Sequence, residues 1–418
     1  MKINKLRGTR DFYPKEMILL NYIFSTWKDI AEKFGYEEVD GPLLEPVDLW
    51  TLKSGSEIPE QMYNFKDKSG REVAIRPEFT PTIARLVAQK QKGLIKPIKW
   101  YSIPRCWRYE APQSGRLREF FQFNIDCLGT TSMMADAEII ITAIEIMKKF
   151  GCTEKDFYIR LNNRKLIASL FSLAGIKKKQ LQEVCRLIDK KDKLMKDDFE
   201  LSLKDLKLNK IQIDKIKTVL DYDLLNKIDE ASLDNLGKQG YNELKGLLGY
   251  LKKYKKYIKL DFSIMRGFDY YTSTVFEIFD KSNKFRAIAG GGRYENLVKD
   301  FGGESCPGVG YGMGDVVISL FLEQLNKLPE LNNGVDFYIA PIKDVLQEAL
   351  NIAIKLRKKY SVNIDLMGRS LRKQLDYANS IKAKKVIIVG SKDLAKKQVT
   401  VRDMVSGKEK KIKVNQLS

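Results

Sequence analysis

Apolar residues near the start of the chain recur with a helical period. Met17, Leu20, Phe24, Trp27 and Ala31 sit three or four positions apart, which predicts an amphipathic helix over 15–34 with one buried stripe. Gly35 ends it, and Tyr36-Glu37-Glu38-Val39 then reads as a short strand that breaks at Gly41-Pro42. A second helix is predicted over 135–150, closed by Gly151. Val275-Phe276-Glu277-Ile278-Phe279 alternates like a half-buried strand, and a glycine run follows at 290–292. Residues 161–258 break into short Leu/Ile/Lys segments of helical character with little strand signal. After a linker at 328–334 the order is strand (336–339), helix (345–360), strand (362–365), helix (370–381), strand (385–389) and a hairpin (398–401 with 410–414). That order predicts a small parallel or mixed sheet with helices on its faces, within an α+β protein.

Composition narrows the chemistry. The chain has 418 residues, room for two to four domains at ~100–200 residues each. With 44% hydrophobic and 31% charged residues it is globular rather than disordered. No apolar run reaches the ~20 residues that span a bilayer, and the start, MKINKLRGTRDFYPKE, has no apolar leader segment. Five cysteines lie scattered without a CxxC pair. This argues against a disulfide framework and a zinc site and fits a reduced cytoplasm. The histidine count is zero. A Ser-His-Asp triad, a Cys-His pair, imidazole metal ligands and an imidazole general base are all excluded. Chemistry must come from carboxylates, arginines, tyrosines, backbone amides or a bound ion.

The formal charge of +20 is unevenly spread. Residues 334–418 carry 19 basic and 8 acidic side chains, and residues 161–258 carry 22 and 14. Two basic segments flank a nearly neutral remainder. They read either as phosphate-backbone contacts on two modules or as lysine-rich solvated helix faces.

Four runs could carry chemistry. The first joins Arg105-Cys106-Trp107-Arg108-Tyr109-Glu110 to Gly115-Arg116-Leu117-Arg118-Glu119-Phe120 through Pro112-Gln113-Ser114. On an antiparallel hairpin, Arg116 and Arg118 would share a face and Arg108 could oppose them, a natural polyphosphate clamp. The second is Arg76-Pro77-Glu78-Phe79-Thr80-Pro81. Its Glu78 and Thr80 read equally as acceptors for a substrate ammonium or as the cap of a following helix. The third is Met265-Arg266-Gly267-Phe268-Asp269-Tyr270-Tyr271-Thr272, either an anion and ring holder or a loop packing two aromatics. The fourth pairs Ala289-Gly290-Gly291-Gly292-Arg293-Tyr294 with Pro307-Gly308-Val309-Gly310-Tyr311-Gly312-Met313-Gly314. Its glycines permit close backbone approach to a ligand, but neither run is a Walker or Rossmann loop.

Taken in order, these runs resemble the class II aminoacyl-tRNA synthetases and, among them, the histidyl-tRNA synthetase family. The likeness starts at Lys5-Leu6-Arg7-Gly8-Thr9-Arg10-Asp11-Phe12 and covers nearly the whole chain. The run from Arg266 to Thr272 is similar to the signature that separates histidyl enzymes from other class II enzymes, and the run from Ala289 to Tyr294 to a second one. Gly41-Pro42 resembles motif 1 at the dimer interface, and Arg108 through Gln122 resembles motif 2. The resemblance implies an antiparallel sheet flanked by helices. It also implies a catalytic domain in two parts (1–160 and 259–328), a helical insertion (161–258) and an α/β anticodon-binding domain (334–418). The implied activity is that of an aminoacyl-tRNA ligase: histidine is activated with ATP and passed to the terminal ribose of its tRNA. Arg108 would hold the ATP α-phosphate, Glu110 the adenine edge and Arg116 the outer phosphates. Glu78, Thr80 and Gln122 would bind the α-amino group of L-histidine. Asp126 and Tyr271 would bind its imidazole nitrogens, with Tyr270 and Tyr294 completing the pocket. Arg266 would stabilise charge at the reacting phosphorus. ATP is a substrate in this scheme, Mg²⁺ accompanies it, no zinc is implied, and the chain works as a homodimer.

Three departures from the family pattern stand out. Val317 occupies the place of an arginine that ends motif 3, so the ATP clamp must be completed differently or ATP binds more weakly. Asp126 replaces a glutamate, and Phe121 a frequent histidine. A non-catalytic paralogue that regulates ATP phosphoribosyltransferase shares the catalytic fold but usually lacks the Arg266-type signature and the C-terminal module. A dead scaffold that binds nucleic acid is favoured only by Val317.

Overall fold

A computed structural model describes residues 3–52, 57–189, 191, 196–220, 228–264, 270–329 and 334–417. Contacts divide the chain into two compact units: Met1–Tyr13 with Leu19–Leu328, and Pro14–Ile18 with Pro329–Ser418.

The predicted first helix is α1, Pro14–Lys33. Pro14 suits its first turn, where no N–H partner is needed. Leu20, Ile23, Trp27, Ile30 and Ala31 form its buried stripe. That stripe packs on a nine-stranded sheet. In chain order the strands are β1 (Glu37–Glu38), β2 (Ile98–Ser102), β3 (Arg105–Trp107), β4 (Glu119–Leu128), β5 (Phe157–Asn163), β6 (Ile258–Leu260), β7 (Thr274–Asp280), β8 (Ala289–Tyr294) and β9 (Gly308–Gly314). They lie in the order β1-β2-β4-β9-β8-β7-β5-β6, with β3 pairing to β4 beside this path. The pairs from β2 to β5 are antiparallel, and the parallel pairs are β1 with β2 and β5 with β6.

The two sheet faces differ sharply. Phe123, Ile125 and Cys127 of β4, Val309, Tyr311 and Met313 of β9, and Phe276 and Ile278 of β7 join one core with α1 and with α3 (Met133–Lys149), which follows α2 (Thr80–Lys90) in the chain. Trp27 stacks on Phe123 at 5.6 Å. The alternate positions of β9 are all glycine: 308, 310, 312 and 314. Register sets Gly310 against Asp126, Gly312 against Asn124 and Gly314 against Gln122.

Helices that follow β5 fold onto the same core. Asn163 caps α4 (Arg164–Leu173) by accepting from the backbone of Lys165 and Leu166. On α5 (Asn235–Tyr250), a Cβ at Gly240 would stand 2.5 Å from the Leu166 backbone nitrogen, so glycine lets the two helices touch. Leu166, Phe171, Leu244 and Leu247 join Ile159 and Leu161 in one cluster.

Helix α6 (Asp315–Gln324) follows β9. The C-terminal unit matches its predicted element order: β10 (Phe337–Ile342), α7 (Leu346–Leu356), β11 (Val362–Ile364), α8 (Leu371–Ser380), β12 (Lys385–Gly390), β13 (Gln398–Asp403) and β14 (Glu409–Lys413). The sheet order is β11-β10-β12-β13-β14, parallel on one side and antiparallel on the other. Alternation along β10 puts Ile339 against α7 and Tyr338 and Ala340 against α8.

Arg293, in the second glycine run, is a structural residue. It is 1% exposed and pairs with Asp136, which is fully buried in the first turn of α3. Its Nε donates to both Asp136 oxygens at 3.1 and 3.0 Å, and its other nitrogens donate to the carbonyls of Thr130 (2.9 Å) and Ser132 (3.2 Å). Removing one partner strands a buried charge, a loss of about 3–5 kcal/mol. Asp136→Ala should lower urea stability by that amount. Lys33→Ala, which breaks an exposed pair with Asp29, should cost less than about 1 kcal/mol. Equal small losses would contradict this reading of Arg293.

Candidate active site

The stripped face of the sheet is a cleft floor. A Cβ at position 310 would lie 2.2 Å from Asp126 Oδ1, and one at 312 would lie 2.5 Å from Gln122 Nε2. Glycine is therefore required for Asp126 and Gln122 to lie over β9.

Asp126 is 2% exposed. The Tyr294 hydroxyl donates to its Oδ1 at 2.7 Å. Its Oδ2 is buried and receives no hydrogen bond from the described residues. Burial pushes this carboxyl up to about 7; the Tyr294 hydrogen bond opposes the shift and the nearby Glu78 charge adds to it. Glu78 is also buried and accepts from the Tyr270 hydroxyl at 3.2 Å. The Tyr270 ring meets Tyr271 at 4.9 Å and Tyr294 at 5.8 Å, both edge to face. Burial raises the phenols of Tyr270, Tyr271 and Tyr294, so all three stay neutral donors at physiological pH.

Two readings open in the sequence separate here. Helix α2 has Phe79 as its N-cap residue, with no side-chain capping bond. Glu78 instead accepts from Tyr270, and the Thr80 side chain also hydrogen-bonds Tyr270. The structure brings Glu78, Thr80, Asp126, Tyr270, Tyr271 and Tyr294 into one aromatic and acidic corner, with Gln122 farther along β4. Arg266 lies outside the described residues.

The expected arginine row on a hairpin does not form. The ladder between β3 and β4 runs only from Arg105–Phe121 to Trp107–Glu119. Residues 108–118 are irregular apart from one bridge between Gln113 and Arg116, because Pro112 cannot donate to a ladder and Gly115 turns the chain at φ +74°. The three guanidiniums take different contacts, two of them on Glu110. Arg108 donates to the Pro77 carbonyl at 3.0 Å and lies 5.4 Å over the Phe120 ring. Arg116 forms an ion pair with Glu110. Arg118 donates to the Glu110 carbonyl at 3.1 Å and stacks on Tyr109.

Position 317 lies below this loop. Asp315 opens α6 fully buried, accepts from the Phe121 backbone at 2.8 Å and from Arg10 at 2.6 Å. Val317 is 7% exposed, and its Cγ2 is 3.4 Å from where a Gly115 Cβ would stand.

Beside the loop is a cavity of about 690 Å³ lined by Gln113, Ser114, Arg116, Arg160, Glu277 and Arg286 among others, a size ordinary for a small-molecule site. Arg160 pairs with Asp261 at 2.9 Å and lies over Phe279. Sequence reasoning missed Arg160, Glu277 and Arg286. The first two sit on strands at half-buried positions, and strand alternation alone puts Glu277 on the glycine face. Arg286 lies in the turn between β7 and β8 and carries no local signal. Among the described residues, no group of three or more Cys, Asp or Glu side chains is placed to hold a metal ion, and no helix is long and apolar enough to cross a membrane.

Comparison with known proteins bears on the family and the fold. A family model described as histidyl-tRNA synthetase matches residues 8–314, and one described as anticodon binding domain matches residues 336–418. The chain is 39% identical over 425 residues to a histidine–tRNA ligase of Pyrococcus furiosus, covering 99% of this chain and 98% of that one. It is 41% identical over 412 residues to a histidine–tRNA ligase of Leptospira biflexa, covering 96% and 93%. The fold matches the crystal structure of a Nostoc histidyl-tRNA synthetase with a TM-score of 0.84 at 24% identity, covering 100% and 98%. It also matches a Bacillus halodurans structure titled ATP phosphoribosyltransferase regulatory subunit/histidyl-tRNA synthetase, with a TM-score of 0.75 at 23% identity, covering 92% and 97%. At these identities the two structures speak to fold alone, so the family rests on the sequence relatives and the matched models. The chain belongs to the histidyl-tRNA synthetase family.

Proposed function

We propose that this chain is a histidine–tRNA ligase whose amino-acid pocket is built around the open oxygen of Asp126. The observation that carries this reading is a buried carboxylate with one oxygen held by Tyr294 and the other accepting nothing from the described residues. An imidazole N–H placed over the glycine floor satisfies that oxygen. An apolar side chain there leaves it unpaired, and such mismatches discriminate strongly. Glu78 and Thr80, at the same corner, suit the substrate ammonium, with Gln122 as a further acceptor.

The reaction suits a chain without histidine. The histidine carboxylate, already ionised at pH 7, attacks the α-phosphorus of ATP. The new P–O bond forms as the bond to pyrophosphate breaks, and no proton has to be removed. Catalysis is then positioning and charge stabilisation. Arg108, braced on Phe120 and Pro77, faces the α-phosphate. Arg116 exchanges Glu110 for the outer phosphates, which frees Glu110 for the adenine edge. Arg266 adds charge at the reacting phosphorus. Mg²⁺ travels with the ATP oxygens. When bound with ATP it would neutralise phosphate charge. In the second step the terminal ribose hydroxyl of tRNA takes the histidyl group and AMP leaves. The basic residues of 161–258 and 334–418 meet the tRNA backbone, and the match to an anticodon-binding domain over 336–418 supports this over a regulatory paralogue. The setting is the cytoplasm. A homodimer through Gly41-Pro42 is supported by the exposed Leu43 and Leu44 beside it, and a light-scattering mass near that of one chain would refute it.

The direct test is histidine-dependent exchange between ATP and pyrophosphate without tRNA. Exchange with histidine and none with the other amino acids is expected; binding of both ligands without exchange would overturn the assignment.

The Asp126 carboxyl adds a pH signature. It is an acid raised to about 7, so its acceptor form is present above that pH and lost as pH falls. Free imidazole takes its own proton near pH ~6.5. Below about pH 6 both partners are protonated, and one proton must leave before they pair. The KM for histidine should therefore climb by about tenfold per pH unit on the acid side. Asp126→Asn should raise KM at pH 7.5 by about tenfold or more and flatten that limb, since an amide carbonyl needs no proton to leave. An acid limb unchanged in the variant would rule out Asp126 as its source.

A further inference from the structure

The cavity beside the 108–118 loop holds a cation that the roles above do not use. Arg286 sits in the turn between β7 and β8 and lines the cavity together with Gln113, Ser114 and Arg116 of the loop. Its Cγ and Cδ lie 3.7 Å from where a Gly115 Cβ would stand, and Val317 Cγ2 lies 3.4 Å from the same point. The loop at Gly115 thus packs beside both the stem of Arg286 and the methyl of Val317. Arg160, also on the lining, pairs with Asp261 and lies over Phe279. Among the described residues, Glu277 is the one acidic side chain on the lining. A half-buried, arginine-rich cavity next to Arg116 suits a polyanion far better than a cation or an apolar group.

We propose that Arg286 is a nucleotide-binding residue that grips the outer phosphates of ATP together with Arg116, in the space left by the small side chain at position 317. This rests on the histidine-activating reading and deepens it. The two arginines reach the polyphosphate from separate backbone segments, the 108–118 loop and the β7–β8 turn. Valine at 317 gives the loop a flat apolar seat, and the charge comes from the neighbouring turn.

The test compares Arg286→Ala, Arg286→Lys and Lys284→Ala in ATP–pyrophosphate exchange. Lys284 is an exposed cation on the same turn, outside the cavity lining. Arg286→Ala should raise the KM for ATP by about tenfold or more, while the KM for histidine stays within about twofold; Arg286→Lys should fall between. Lys284→Ala should behave as the wild type. Thermal unfolding with ATP alone gives a second readout: the rise in melting temperature should shrink in Arg286→Ala and persist in Lys284→Ala. An unchanged KM for ATP in Arg286→Ala, or an equal rise in Lys284→Ala, overturns the proposal. A wild-type chain that shows no histidine-dependent exchange but loses its ATP shift in Arg286→Ala would instead refute the ligase reading and leave Arg286 as a phosphate ligand.

Discussion

Strand β9 must satisfy two faces of one sheet with opposite demands. Val309, Tyr311 and Met313 fill the core beneath it, while every alternate residue above is glycine. On an ordinary strand those upper positions would carry side chains and the face would be covered. Here a Cβ at 310 or 312 would collide with Asp126 or Gln122. The result is a trough one side chain deep, floored by backbone, with its chemistry supplied from the neighbouring strands β4, β7 and β8.

Two buried aspartates on this sheet show how partnering decides function. Asp136 meets a guanidinium that is itself held by two carbonyls, and that set of bonds is complete. It fastens α3 to β8 and leaves nothing for a ligand. Asp126 meets one phenol, and its second oxygen waits at the floor of the trough. Burial raises its carboxyl toward 7, close to the pKa of an imidazole. A proton can therefore be shared between the two at little cost. The short aspartate side chain keeps this carboxylate close to the strand, where Tyr294 reaches it.

The helical stripe of α1, the half-buried alternation of β7 and the whole element order of the C-terminal unit were legible in the residues, because each follows from local periodicity. The resemblance carried by residues 5–12, 108–122, 266–272 and 289–294 named the fold and the family. Pairing was not legible. Nothing local says that Gly310 lies against Asp126, that Arg293 turns to the core while its neighbour Tyr294 faces the site, or that Arg108, Arg116 and Arg118 take different contacts in an irregular loop. The hairpin expectation failed since Pro112 and Gly115 end the ladder at Trp107. Whether Glu78 capped a helix was undecidable until Tyr270, far away in sequence, was seen to hold it. Arg286 was invisible for the same reason: its partners on the cavity lining come from a distant loop.

The most direct measurement is a crystal structure of the chain with L-histidine bound. An imidazole nitrogen should lie about 2.6–3.2 Å from Asp126 Oδ2, with the ring flat over Gly310 and the ammonium at Glu78. Histidine seated elsewhere, or an Asp126 oxygen still without a partner beside the bound ring, would contradict the account.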